Sequence, residues 1–273
     1  MPTLRSPSRD VKPAARPRTV WPFVLIGLAA VLAVVLAALP ASAIAHFMPQ
    51  WVRAEDFSGS IWHGSAGKIS VNGRDAGALE WRLHPAALLG AAITADLHWV
   101  KVGVVVDGAV KIDRRGFAAH AVKGKGSIDD LHDLGVALGW RGAADLDFST
   151  LEGNFAKDDF PKLVAAVGRI QVSNLASAQI AGGEPLGGYE LRLDGDAVGS
   201  DGTVTARLVD TGGPLEVQTL IHYSANDRTG LLSGTLRERA SATEALRRQI
   251  EELSQLRGRD AQGRIPVDLE FRL

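Results

Sequence analysis

Beyond residue 46, apolar and polar residues alternate with a period of two along much of the chain, the pattern of strands that bury one face. The clearest row closes the sequence. Ile265, Val267, Leu269, Phe271 and Leu273 share one face, while Arg264, Asp268, Glu270 and Arg272 share the other. Pro266 supplies no backbone N–H, so this strand is expected at a sheet edge. Leu79, Trp81 and Leu83 alternate with Glu80 and Arg82 in the same way. Val100, Val102, Val104 and Val106 form another row, which runs into Asp107-Gly108 and then Val110 and Ile112. Asp-Gly and Asn-Gly pairs accept positive φ, so Asn72-Gly73, Asp107-Gly108 and Asp201-Gly202 are read as hairpin turns. Hairpins imply an antiparallel meander instead of βαβ units.

The helical period is rare. Ser241–Leu256 carries a stripe of Leu246, Ile250, Leu253 and Leu256, and Ser241 and Glu244 have the spacing of a capping box. Gly258 provides a C-terminal stop, and shorter helical turns are expected at Pro85–Leu89 and Asp129–Leu138. Ile69–Leu83 also aligns with Gln179–Leu193 without a gap, matching Gly73/Gly183, Gly77/Gly187, Glu80/Glu190, Arg82/Arg192 and Leu83/Leu193. The alignment raises the option of two duplicated halves.

The first 45 residues follow other rules. Val20–Ala45 carries no charge; about 26 residues make a helix of roughly 39 Å, enough to cross a hydrocarbon core of about 30 Å. Arg5, Arg9, Lys12, Arg16 and Arg18 precede it against Asp10 alone, and Arg53 is the next charge after it. The positive-inside bias therefore predicts a cytoplasmic N-terminus and a body across the membrane, with Arg16, Arg18, Trp21 and Trp51 flanking the anchor. A cleaved signal peptide is the competing reading, because Pro40 precedes the small-residue triplet Ala41-Ser42-Ala43. The organisation expected is a disordered basic tail (1–19), a transmembrane anchor (20–45) and a mainly β body (46–273) that is hairpin-rich and carries one amphipathic helix near its end.

Composition narrows the chemistry. The 273 residues hold no cysteine, which excludes thiolate catalysis, Cys-ligated zinc and disulfides. A formal net charge of −1 gives no field for nucleic acid. Thirty glycines suit many tight turns. Asp129, Asp130, His132 and Asp133 are the densest cluster of metal-type ligands, but as near-consecutive residues they read as a helix cap with solvated neighbours. Gly124-Lys125-Gly126-Ser127 lacks the order of a phosphate loop and reads as a flexible turn. His63 has no acid or nucleophile nearby in the sequence, and Trp62, Trp81, Trp99 and Trp140 read as core residues. No catalytic, cofactor-binding or metal residue is assigned.

Three stretches in order resemble the type II secretion system protein N family. They are Gly59-Ser60-Ile61-Trp62-His63-Gly64 after the anchor; Leu79 to Pro85 with Leu88 and Leu89; and the closing section. The last runs from Gly212-Gly213-Pro214-Leu215 through Gly234-Thr235-Leu236 and the helix to Gly258-Arg259-Asp260-Ala261-Gln262-Gly263-Arg264 and the final strand. The chain departs from the family in ending on Glu270-Phe271-Arg272-Leu273 without a glycine. The resemblance implies a single-pass protein of a Gram-negative inner membrane with a periplasmic body. It would act as a non-catalytic accessory component contacting the inner-membrane platform, the outer-membrane secretin and membrane lipid. The alternative is a periplasmic lipid or lipopolysaccharide carrier with an apolar-lined β-trough.

Overall fold

In the computed structural model, the strands expected from the alternation pair with one another in strict chain order. The residues described are 38–134, 139–155, 162–194, 198–199, 202–224 and 229–272. The strands are β1 (Val52–Gly59), β2 (His63–Val71), β3 (Arg74–Leu83), β4 (Ile93–Lys101), β5 (Val104–Ile112), β6 (Gly116–Ser127) and β7 (Trp140–Asn154). They continue as β8 (Lys162–Ser177), β9 (Pro185–Leu193), β10 (Thr203–Gly212), β11 (Leu215–Ser224), β12 (Thr229–Glu238) and β13 (Ile265–Arg272). Each pairs antiparallel with its sequence neighbours in one sheet of 13 strands, leaving β1 and β13 at the two edges. The mainly β meander is therefore present, with Pro266 on an edge strand as its missing N–H requires.

The sheet has an apolar and a polar face. Phe57, Trp81 and Leu97 lie on the apolar face at one end, packed with Ala41, Ala66 and Ile69. At the other end Leu186, Tyr189, Leu208, Leu236 and Ile265 pack under a helix, α1 (Glu244–Arg257). Leu246, Ile250 and Leu253 of α1 face the sheet as the stripe predicts, whereas Leu256 is 83% exposed at the last turn. The N-cap differs from expectation: Thr243 Oγ1 accepts from the Leu246 N–H at 3.3 Å, so Thr243 caps the helix and the Ser241–Glu244 capping box does not form. Gly258 ends α1 at φ 75, the positive φ that glycine takes without strain.

One expected hairpin is misplaced. The β4–β5 turn lies at Val102-Gly103, not at Asp107-Gly108, which sits inside β5 with Asp107 opposite His98 and Gly108 opposite Leu97. Gly103 has φ 73, and a Cβ there would strike the Asp130 carboxylate. Glycine is thus demanded at 103, while Asp107 stays in the ladder with a histidine as partner. The turn also divides the valine row. Val100 pairs with Val105 on the polar face, and Val104 is buried on the apolar face. Asn72-Gly73 forms the β2–β3 turn as expected, both at positive φ. Asp201 lies outside the described residues.

Elements recur at a fixed offset. Gly73 and Gly183, and Ile93 and Thr203 at the starts of β4 and β10, stand 110 positions apart. Gly77 and Gly187 both take positive φ, at 83° and 107°. In each case a Cβ would collide with a carbonyl oxygen of the next strand or turn, Val100 or Gly212. The pairs β5/β11 and β6/β12 keep nearly the same offset. A helical segment follows in both places, the 3-10 helix Ile128–Leu134 and then α1, and each leads to one more strand, β7 or β13.

Of the expected anchor, residues 20–37 with Trp21 lie outside the described residues, as does the basic tail with Arg16 and Arg18. Among the described residues no helix is long and apolar enough to cross a membrane. Ala41–Phe47, which takes in the last part of the expected anchor, forms a 3-10 helix whose Ala41 is 1% exposed. From Pro40 onward these residues belong to the compact unit that contains the sheet.

Candidate interaction surface

One register row crosses the polar face from edge to edge. Ser58 pairs with Ser65, Ser65 with Glu80, Glu80 with His98, and His98 with Asp107. The row continues through Lys123, Asp147, Arg169, Arg192 and Arg207, then Leu220, Ser233 and Asp268 on the β13 edge. Side chains directly opposite on neighbouring antiparallel strands interact across about 5 Å. Over its first part the row alternates in charge. His98 Nδ1 meets Asp107 Oδ1 at 2.6 Å, and Arg169 Nη2 stands 3.7 Å from Asp147 Oδ2. A parallel contact joins Lys125 Nζ to Asp145 at 3.3 Å.

The alternation fails at Arg169, Arg192 and Arg207, three cations in consecutive strands. Arg192 is paired with Glu190, which holds its pKa above the ordinary arginine value. Arg207 is exposed and has no ion-pair partner among the described residues. This run makes a local basic stripe in a chain of nearly zero net charge. Two shallow grooves lie along the same face. One of about 680 Å³ is lined by Asp107, Lys123, Lys125, Asp145, Asp147 and Arg169. A second, of about 490 Å³, is lined by His63, Glu80, Arg82, Asp96, His98 and Asp107 among others.

The hydrogen bond to Asp107 holds the exposed His98 imidazolium above its ordinary pKa. A second pair, His84 Nε2 with Asp96 Oδ2, is 3.0 Å long. No cluster of three metal-type ligands occurs among the described residues. Asp129 and Asp130 lie in the 3-10 helix Ile128–Leu134, where Asp129 accepts from Ser127 and its carbonyl contacts His132 Nδ1 at 2.9 Å. The side chain of Asp133 is outside the described set.

Gly124-Lys125-Gly126-Ser127 corrects an expectation: it lies inside β6 and is not a turn. A Cβ on Gly124 would come within 2.9 Å of Val106 and Leu146, and one on Gly126 within 2.7 Å of Val104. These glycines let large neighbours fill the apolar face. His63 is exposed at the start of β2, opposite Arg82, with its N–H donating to Ser60 Oγ at 3.2 Å. Trp81 is 7% exposed, donates to the Ile61 carbonyl at 2.9 Å and meets Phe57 edge-to-face. Trp99 donates to the Ala76 carbonyl, Trp140 packs in the cluster under α1, and Trp51 is 49% exposed just before β1.

The motifs that carry the family resemblance act as turn and packing devices. At Gly212-Gly213-Pro214-Leu215, Asp210 accepts from the Gly212 and Val217 N–H groups and from Arg239 Nη1 at 2.6 Å. Burial pushes the Asp210 carboxyl up, but these donors outweigh it and hold its pKa below the ordinary value. Beside it the Tyr189 hydroxyl donates to the Leu186 carbonyl at 2.9 Å, and burial, with the Asp210 charge, raises its pKa to about 12. In the Gly258–Arg264 stretch, Arg259 reaches Glu238 and Glu251, and Asp260 accepts from the backbone of Gln262 and Arg264.

The chain is an antiparallel meander with one charged face, and its recurrent motifs brace turns. The model of the family described as Type II secretion system (T2SS), protein N matches residues 50–268. The chain belongs to that family, an accessory family of the secretion machinery that is associated with the cell envelope and not known for catalysis. No curated protein matches the chain, and no solved structure does.

Proposed function

We propose that the chain is a non-catalytic structural component of a type II secretion system, held by one N-terminal inner-membrane anchor with its sheet in the periplasm. There it links the inner-membrane platform, the outer-membrane secretin, or both. The observation that carries this reading is the row running across the polar face to an open edge: it offers charged, register-matched surface and converges on no reaction centre. The recurrence at 110 residues supports a body built from two copies of one six-strand unit. Apolar segments flanked by cations support the anchor.

A photocrosslinking residue placed at Arg207 in cells tests the reading. Platform or secretin subunits recovered in the crosslinked product are the expected result. Their absence, with only bulk periplasmic proteins recovered, overturns it. Reporter fusions at residue 273 test the topology separately: they are expected to be active only when exported. The lipid-trough alternative has one observation in its favour: a further groove, of about 650 Å³, is lined by Val100, Val102, Val104 and Val105, although Lys68, Asp75 and Lys101 line it as well.

A further inference from the structure

The two strands that follow the helical segments occupy equivalent registers but have different surroundings. Within β7, Phe148 pairs with Val122, Asp147 with Lys123 and Leu146 with Gly124 on β6. Within β13, Leu269 pairs with Leu232, Asp268 with Ser233 and Val267 with Gly234 on β12. Val122 and Leu232, like Gly124 and Gly234, are 110 positions apart, so Phe148 corresponds to Leu269 and Asp147 to Asp268. On its other side β7 is covered by β8, where Arg169 stands opposite Asp147 and Gly168 opposite Phe148. Among the described residues β13 has no strand on that side. The consequence is visible in exposure: Phe148 is 9% exposed and Leu269 is 55% exposed. Among the described residues β13 thus matches β7 in register, with no counterpart of β8 beside it.

The edge is also able to pair. Proline at 266 has no N–H to give to β12, which places residues of its parity with their peptide groups outward. The Asp268 carbonyl agrees, since it accepts from the Arg257 side chain at 3.4 Å on the edge side. A side-chain donor therefore stands where a neighbouring strand would bring an N–H. The ladder to β12 runs unbroken through all eight residues of β13. The opposite edge is different: β1 makes no pair at Asp56, which takes left-handed backbone at φ 56 and interrupts the ladder to β2. Native edges are commonly blunted in this way, and β13 carries Pro266, its charges and the Arg257 side chain as protection.

We infer that β13 is a docking edge for one extended, antiparallel segment of a partner chain that presents aliphatic side chains on the apolar face and a basic residue opposite Asp268. The internal β7–β8 junction is the template for this mode of strand addition. Asp268 and Glu270, both on the polar face, select the cation. They also disfavour a second copy, because two β13 strands related by a twofold axis would bring carboxylates against carboxylates. The inference deepens the assembly reading by naming the contact, and its test does not depend on that reading.

The probe is a fluorescent peptide with the sequence of β8, Lys162–Ser177, titrated onto the full chain in detergent and read by anisotropy. Saturable binding is expected. Glu270→Pro removes an outward N–H and leaves the inner ladder its donors, so it is expected to abolish binding with the far-UV spectrum unchanged. Asp268→Lys keeps every backbone donor. It is expected to weaken binding about tenfold and to recover it with a peptide carrying Arg169→Glu. No saturable binding overturns the proposal, as does equal affinity of the unaltered chain and Asp268→Lys for both peptides. Leu269→Cys chains that become disulfide-linked pairs in place of binding peptide overturn it in favour of self-association. Failure of the peptide leaves the secretion assignment intact, whereas loss of platform and secretin crosslinks leaves the edge intact.

Discussion

Arg239 Nη1 lies 2.6 Å from Asp210 Oδ1, and the pair locks the β10–β11 turn to the end of β12. Arg239 also reaches the carbonyls of Gly213 and Leu215, so one side chain braces both sides of the turn. The Asp210 side chain is 8% exposed and that of Arg239 36%, which places the pair between surface and buried ion pairs.

Asp210→Asn is expected to destabilise the body by about 2 kcal/mol, discounted for the exposed guanidinium. The Asp210 pKa is lowered in the fold, so its stabilisation is complete above the unfolded carboxyl pKa and is lost as pH falls through the folded one. Thermal melts of the unaltered chain are expected to drop in acid more steeply than those of the variant. Parallel acid limbs would remove this role from Asp210.

Gly77 and Gly73 separate steric from conformational cost. Both take positive φ, but a Cβ on Gly77 meets the Val100 carbonyl and Lys101, while nothing lies within 4 Å of one on Gly73. Gly73→Ala is expected to cost about 1 kcal/mol and Gly77→Ala about 3 kcal/mol or more by denaturant unfolding. Equal costs would mean that the close approach of β3 to β4 is not tight.

On α1, Leu246 is 2% exposed and Leu256 is 83% exposed. Leu246→Ala is expected to lose about 3 kcal/mol, and Leu256→Ala to stay within about 0.5 kcal/mol of the unaltered chain. A calorimetric comparison decides it.

Among the described residues Thr219 Oγ1 is buried without a hydrogen-bond partner. Removing an unpartnered hydroxyl at constant shape relieves its desolvation cost, so Thr219→Val is expected to raise the melting temperature, by about 1 kcal/mol of stability. A lower melting temperature would show that the hydroxyl is satisfied in solution.

The hydrogen bond that the His98 imidazolium donates to Asp107 favours its charged form and raises its pKa. In Asp107→Asn the imidazole is expected to titrate at lower pH, followed by NMR of the ring protons. An unchanged midpoint would separate the two residues.

Most of the meander was legible because each strand announces its own faces by alternation, and Asn72-Gly73 fixed its turn locally. Asp107-Gly108 misled because its turn chemistry was sound in isolation. The turn falls at Val102-Gly103 because of the β4–β5 register, where Gly103 takes positive φ and a Cβ would meet the Asp130 carboxylate. Ser241 was read as the cap by a spacing rule, whereas Thr243 caps α1 where the helix docks Leu246 and Ile250. The interaction surface was not legible at all. Each strand contributes one or two residues to it, such as Arg169, Arg192 and Arg207, and only the register of separate ladders aligns them.

The sequential strand order carries a consequence for how the body is made. Every ladder joins segments adjacent in the chain, so no late residue must insert between earlier ones. Loop closures stay short and the entropy spent before each new contact stays small. The sheet can therefore grow by successive hairpins from its N-terminal side, each new strand adding to a finished rim, while the remainder of the polypeptide is still being delivered.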